Sequence, residues 1–330
     1  MTKTSRGFSR FCITAVLIAG VFGFQGIAHC QAADETTAAE SAPEYSGMSP
    51  TLCLGCHGER GMKPAAGILQ HPMANQADPN TPFGEGNHAC ESCHGPSKAH
   101  AMSGGQKPPA VKFNAETPFE VKNESCLSCH GKQRSHFHWP GATHIIEGVA
   151  CNDCHKVHQA VDPVMDVETQ TEVCYTCHQE QRAQFLRQSR HPVQAASNAF
   201  SHTGLMTCTD CHNPHGSDGA ASLNRSTVNE SCYDCHAEKR GPYLWEHQPV
   251  REDCSNCHNP HGSNYPNLLN ARTPWLCQQC HSAVNHSSTA LSGIDVAPNS
   301  FDRRVVGKDC MNCHAKVHGS NHPSGVALTR

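Results

Sequence analysis

Ten times in 330 residues, two cysteines stand three positions apart with a histidine directly after the second. The pairs are Cys53 and Cys56, Cys90 and Cys93, Cys126 and Cys129, Cys151 and Cys154, Cys174 and Cys177, Cys208 and Cys211, Cys232 and Cys235, Cys254 and Cys257, Cys277 and Cys280, and Cys310 and Cys313. The histidines that follow are His57, His94, His130, His155, His178, His212, His236, His258, His281 and His314. Cys-x-x-Cys-His is the attachment pattern of c-type haem, in which both thiols bond to the porphyrin and the imidazole ligates iron. One copy is a weak signal, because Cys-x-x-Cys also serves zinc knuckles and thioredoxin-like sites. Ten copies out of ten with the histidine are not chance in a chain with 26 His. A run of zinc ribbons would use thiolates in pairs of pairs and has no need of a histidine after each. The pattern predicts ten covalently attached haem c groups.

Composition agrees with that reading. Val, Ile, Leu and Phe make up 51 of the 330 residues, a fraction usual in disordered chains. The formal charge of −4 is too small for disorder, which pairs low hydrophobicity with strong charge. Ten porphyrins would supply the missing apolar bulk, and the chain without them should not fold. Twenty of the 22 Cys lie in the motifs, leaving Cys12 and Cys30 near the N-terminus and no pair for a disulfide in the mature chain. No nucleic-acid partner is expected.

Residues 1–33 read as a secretory signal, with Lys3, Arg6 and Arg10 ahead of an uncharged apolar run from Phe11 to Phe24. That run is too short for a comfortable membrane span, and Ala32 and Ala33 offer a cleavage point. The rival is a lipoprotein with Cys30 acylated, for which His29 is a poor fit. Residues 34–50 read as a flexible leader, and 51–330 as an elongated decahaem domain. Its first cysteines are separated by 37, 36, 25, 23, 34, 24, 22, 23 and 33 residues, so the series after Cys126 recurs after Cys232. His144 and His247 each stand seven residues before a motif, and His158 and His261 each stand three past a motif histidine. These coincidences point to an internal multihaem repeat. The fold class expected is a multihaem cytochrome c: short α-helices and irregular loops wrapped around a haem array, with almost no β-sheet. Thr169 to Gln188 has the composition of one helix, closed by Pro192.

Iron needs a sixth ligand, whose identity separates electron transfer from chemistry at the metal. His158, His215, His261 and His318 closely follow motifs, where their own haem plane should keep them from their own iron and send them to a neighbour. With His144 and His247, and with His71, His100, His191 and His322, they form the preferred ten. His286 is next, and His88, His136, His138 and His202 are weaker. The choices between His191 and His202, and between His286 and His322, stay open. Trp139, Trp245 and Trp275 fit packing against porphyrin edges.

The stretch from Ser231 to His247, followed by Cys257-His-Asn-Pro-His-Gly-Ser263, closely resembles the MtrA/DmsE/PioA-type periplasmic decahaem c-type cytochromes of outer-membrane electron conduits. Val317-His-Gly-Ser-Asn-His-Pro-Ser-Gly325 is similar to their C-terminal end. The likeness runs from Cys53 to Arg330 with all ten motifs in order, and the insertions bearing His88 and His202 depart from it. The resemblance implies a periplasmic electron carrier seated in an outer-membrane β-barrel porin. It would connect a periplasmic or inner-membrane cytochrome donor with an extracellular multihaem cytochrome that reduces metal oxides, or with a dimethyl sulfoxide reductase; other members run inward from iron(II) oxidation. Such a conduit is not an enzyme and has no substrate site. The alternative is a multihaem reductase acting on a small nitrogen or sulfur oxyanion at one open haem. Such enzymes commonly mark that haem with a proximal Lys, and here all ten proximal residues are His.

Overall fold

The computed structural model describes residues 43–61, 63–193, 206–281 and 309–329. The signal stretch, residues 34–42, Cys12, Cys30, His202 and His286 lie outside them. No described helix is long and apolar enough to cross a membrane.

Each attachment motif folds as a single helical turn. The backbone N–H of His94, His155, His178, His212, His236, His258, His281 and His314 donates to the carbonyl of the cysteine four residues earlier, at 2.9–3.1 Å. His57 and His130 instead end the helices α1 (Pro50–His57) and α4 (Phe119–His130), with α2 (Glu91–His94) and α3 (Lys98–Met102) between. A turn with cysteines at i and i+3 and a histidine at i+4 places all three side chains on one face. Local structure is thus dictated by the spacing. Gly95 stops α2 at φ 69°, a left-handed conformation that costs glycine nothing.

The remaining helices are as short: α5 (Thr143–Ile146), α6 (Cys151–Cys154), α7 (Gln170–Tyr175), α8 (Gln179–Phe185), α9 (Val228–Tyr233), α10 (Gln248–Glu252) and α11 (Thr273–Gln278). The helix expected over Thr169 to Gln188 is two helices, α7 and α8. They part at the attachment histidine, because His178 takes φ −87°, ψ 62° after its motif turn closes. Among the described residues β-structure amounts to four isolated bridges, at Ser189 with Ser263, His212 with Leu223, Trp245 with Ser320 and His258 with Leu269.

The interior is polar. Among the described residues eight apolar side chains are buried against ten polar or charged ones, and the one apolar cluster is Tyr175, Phe185 and Val193. So small an apolar core cannot offset the chain entropy of ordering nearly three hundred residues. Two of the buried polar groups hold motif to motif. Asn123 donates from Nδ2 to the Val149 carbonyl at 3.3 Å and accepts on Oδ1 from the Cys151 N–H at 2.8 Å. Asn229 does the same to Val250 (2.9 Å) and Cys254 (2.7 Å). Both stand three residues before a motif in an Asn-Glu-Ser-Cys run, so the spacing repeat is matched by a repeated bond.

Part of the stretch read as a flexible leader is tied down. The buried carboxylate of Glu91 accepts from the Ser46 N–H at 3.0 and 3.1 Å, from Ser46 Oγ at 2.5 Å and from the Ser97 N–H at 2.7 Å. Lys98 pairs with Glu44 at 2.7 Å, and Tyr45 stacks on His88 with ring centroids 3.7 Å apart. Those contacts engage residues whose composition carries no apolar signal.

Asn123→Ala leaves the Cys151 N–H and the Val149 carbonyl without their partner. At about 1–3 kcal/mol for a buried unsatisfied group, it should lower the thermal unfolding midpoint of the holoprotein by several degrees, read from visible circular dichroism.

Candidate metal centres

Motifs adjacent in sequence are adjacent in space. The thiols of Cys53 and Cys90 hydrogen-bond, as do those of Cys126 and Cys151, Cys174 and Cys208, Cys232 and Cys254, and Cys277 and Cys310. In the Cys53, Cys208 and Cys254 thiols this bond is the main cause of a pKa lowered to about 7. Their partners Cys90, Cys174 and Cys232 are pushed up by donating and by burial. The second cysteines complete the sequence. Cys93 feels Cys129, Cys154 feels Cys177, Cys211 feels Cys235 and Cys257 feels Cys280 electrostatically. Motifs one to ten therefore form an unbroken succession, joined alternately through first and second cysteines.

Nine imidazole pairs accompany them. Ring centroids lie 6.0–6.4 Å apart for His57 with His100, His94 with His158, His130 with His136, His155 with His215, His178 with His144, His212 with His261, His236 with His191, His258 with His318 and His281 with His247. A metal–imidazole bond is about 2.0–2.1 Å and a ring nitrogen lies about 1.1 Å from its centroid, so two rings ligating one metal ion from opposite sides sit about 6.2 Å apart. The residues present fit a six-coordinate iron between each pair. Among the described residues no group of three or more His, Cys, Asp or Glu converges on one point as a zinc cage would.

Seven of the nine pairs follow a rule; His100, which faces His57, and His136, which faces His130, stand outside it. A histidine just after an even-numbered motif faces the proximal ring two motifs upstream: His158 faces His94, His215 faces His155, His261 faces His212 and His318 faces His258. A histidine ahead of an even-numbered motif faces the next motif downstream, as His144, His191 and His247 do. The two sets are laced together. His144 Nδ1 donates to the Pro214 carbonyl (2.8 Å), His191 to Pro260 (2.8 Å) and His247 to Val317 (3.1 Å), each the residue just before His215, His261 or His318.

The Nδ1 bonds also settle tautomers. A carbonyl only accepts, so an Nδ1 facing one carries the proton and leaves Nε2 with its lone pair free for a metal. His57, His94, His100, His212, His258 and His314 share this arrangement, with the carbonyls of Lys63, Val111, Lys107, Ala221, Asn267 and Ala327 at 2.6–3.1 Å. Two of these carbonyls are aimed by left-handed backbone in ordinary residues, Ala221 at φ 52° and Asn267 at φ 56°, a strain of about 1–3 kcal/mol each. Burial, with neighbouring rings after it, holds His94, His136, His158 and His261 below the usual histidine range, and His318 is lowered by burial, then by Lys239 and neighbouring rings. His215 is pushed down to about 4 by burial and by His136, His155 and His144. Neutral imidazole is the ligating form.

Two of the preferred distal histidines differ from this pattern. His71 Nδ1 accepts from the Met73 N–H (3.2 Å) and His322 Nδ1 from the Ser324 N–H (3.1 Å), which puts the proton on Nε2. Neither faces a proximal ring among the described contacts. His136, ranked weaker, stands 6.2 Å from His130. Its spacing carried the signal, since it follows His130 by six residues as His100 follows His94. Of the other surplus histidines, His88 is occupied by Tyr45, and His138 faces Asp218 at 3.6 Å. The buried indole N–H groups of Trp139 and Trp245 have no protein acceptor, a state that a porphyrin carboxylate would relieve.

Comparison with known proteins follows the same lines. The family model "Doubled CXXCH motif" matches residues 202–241 and 247–286, and "Cytochrome c-type protein NrfB-like" matches 90–170. The chain is 42% identical over 299 residues to the multihaem cytochrome MtrA of Shewanella baltica, covering 87% of this chain and 83% of that one. An undecahaem cytochrome from the S-layer of Carboxydothermus ferrireducens aligns at 17% identity over 74% of this chain and 33% of its own length, with a TM-score of 0.12, too low to carry weight.

His136→Ala should turn one low-spin haem high-spin in the electron paramagnetic resonance spectrum of the purified holoprotein. His71→Ala should leave the spin population unchanged.

Proposed function

The chain belongs to the MtrA family of multihaem c-type cytochromes, which transfer electrons through haems, and from that premise we propose that it is a decahaem conduit between the periplasm and the cell exterior. The observation that carries this reading is the row of nine facing imidazole pairs set on motifs that touch in sequence order. Each haem, when bound, supplies a one-electron couple and an extended π-system for outer-sphere transfer.

The protein's own part is to hold and orient. Cysteine pairs three residues apart on helical turns would fix each attachment point, and the bonds from Asn123 and Asn229 to the next motif keep neighbouring attachment points together. Imidazoles whose Nδ1 protons are committed to carbonyls are held against rotation and would keep Nε2 free to hold a haem iron. With four porphyrin nitrogens, a haem iron held by both imidazoles of any of the nine pairs would have no coordination site left for a substrate. For His314, the tenth proximal residue, the choice of partner lies between His286 and His322, and the Nε2–H tautomer of His322 favours His286.

The finer reading is that of the family resemblance. The mature chain is exported and works in the periplasm, associated with an outer-membrane β-barrel porin. It receives electrons from a periplasmic or inner-membrane cytochrome and delivers them to an extracellular multihaem cytochrome or reductase, or carries them in the reverse direction.

A haem count by mass, with a spin census by electron paramagnetic resonance and near-infrared magnetic circular dichroism, tests the core of the proposal. Ten haems, all low-spin with bis-histidine signatures, are expected. A stoichiometric high-spin haem overturns it in favour of a reductase with an open iron. Liposomes carrying the chain with its barrel should then oxidise an enclosed reduced dye when a ferric oxidant is added outside, and liposomes with the barrel alone should not.

A further inference from the structure

We propose that Asp162 holds the site built on Cys151, Cys154 and His155 at the lowest reduction potential of the array, an inference that rests on the haem reading above. His155 donates from Nδ1 to Asp162 Oδ2 at 2.7 Å. The other proximal histidines with a described Nδ1 acceptor within 3.5 Å (His57, His94, His212, His258 and His314) all donate to neutral backbone carbonyls. His236 has a carboxylate near it, Glu238, but at 3.8 Å and with both side chains exposed. Asp162 is different in kind, because its side chain is 5% exposed.

Asp162 is also held in place. Its Oδ1 accepts from the Lys156 N–H at 3.0 Å and from the Val164 N–H at 3.4 Å. Both oxygens act as acceptors in every described contact, the behaviour of an ionised carboxylate. Screened from water, its charge acts on the imidazole at much more than its aqueous strength. A carboxylate hydrogen-bonded to a ligand's distant N–H raises that ligand's basicity, and a more basic ligand with a negative charge behind it favours the oxidised metal over the reduced one. One electron enters this site and one leaves; the proton stays on Nδ1 throughout.

The site is interior to the array. Cys151 touches Cys126 of the third motif, and Cys154 feels Cys177 of the fifth. A minimum in potential here places an uphill step partway along the path for an electron travelling either way. Asp162 lies seven residues past His155, outside the attachment motif, and is neither a thiol nor a ligand. It acts as a positioning and tuning residue through His155.

Asp162→Asn removes the charge at nearly constant shape. In a spectropotentiometric titration of the holoprotein, the lowest component should move to higher potential and one ferric low-spin signal should shift, with the haem count by mass and the other components unchanged. An unchanged titration with a full haem count overturns the proposal and leaves the cytochrome reading intact. A wild-type protein without haem would overturn that reading itself. His215→Met gives a second measurement that does not depend on the stability of the Asp162 variant. It replaces the ligand facing His155, and methionine raises a haem potential. The lowest component should rise; if another rises and the lowest stays in place, the assignment of the minimum to this site fails.

Discussion

Two imidazole rings about 6 Å apart with a metal-sized gap between them form the contact on which the rest of this structure depends. All but the His130–His136 pair draw their members from different parts of the chain, by as much as 64 residues between His94 and His158. Held by iron, such a pair is a cross-link, and nine of them in staggered order convert a polar chain with many turns into a connected body. The rule of two motifs upstream and one motif downstream makes each link overlap the next. Apart from His130 with His136, each pair spans an attachment motif, so that motif is brought into place as the pair forms.

This explains an interior that would otherwise be unstable. Tyr175, Phe185 and Val193 are a very small apolar cluster for so long a chain, and the largest fully buried side chains among the described residues, Asn123 and Thr171, are polar. Hydrogen bonds from such residues contribute little net stability, but leaving them unmade is costly. They serve register more than cohesion. Asn123 and Asn229 set the distance between one motif and the next, and the bonds from His144, His191 and His247 to Pro214, Pro260 and Val317 set one imidazole by the backbone beside another.

Tuning is superimposed on this uniform scaffold. Where the acceptor behind a ligand is a carbonyl the sites are alike; where it is Asp162 the local charge changes. Tryptophan N–H groups with no protein acceptor, at Trp139 and Trp245, mark further places where the chain presents an unpaired donor that a haem carboxylate would satisfy.

Sequence alone determined what does not depend on distance along the chain: ten attachment turns, since i, i+3 and i+4 share one helical face, the class of cofactor, and the absence of an ordinary core. It also marked His158, His215, His261 and His318 as residues that should reach a neighbouring haem, because the residue after a bound ring cannot reach behind it. Only the tertiary structure decided which neighbour, and that His136 faces its own motif's histidine while His71 and His322 turn their Nδ1 atoms to backbone N–H groups. The reason is physical. Spacing fixes what a few consecutive residues can do together, whereas the partner of an imidazole 60 residues away, and the proton on its ring, depend on how the whole chain is folded back.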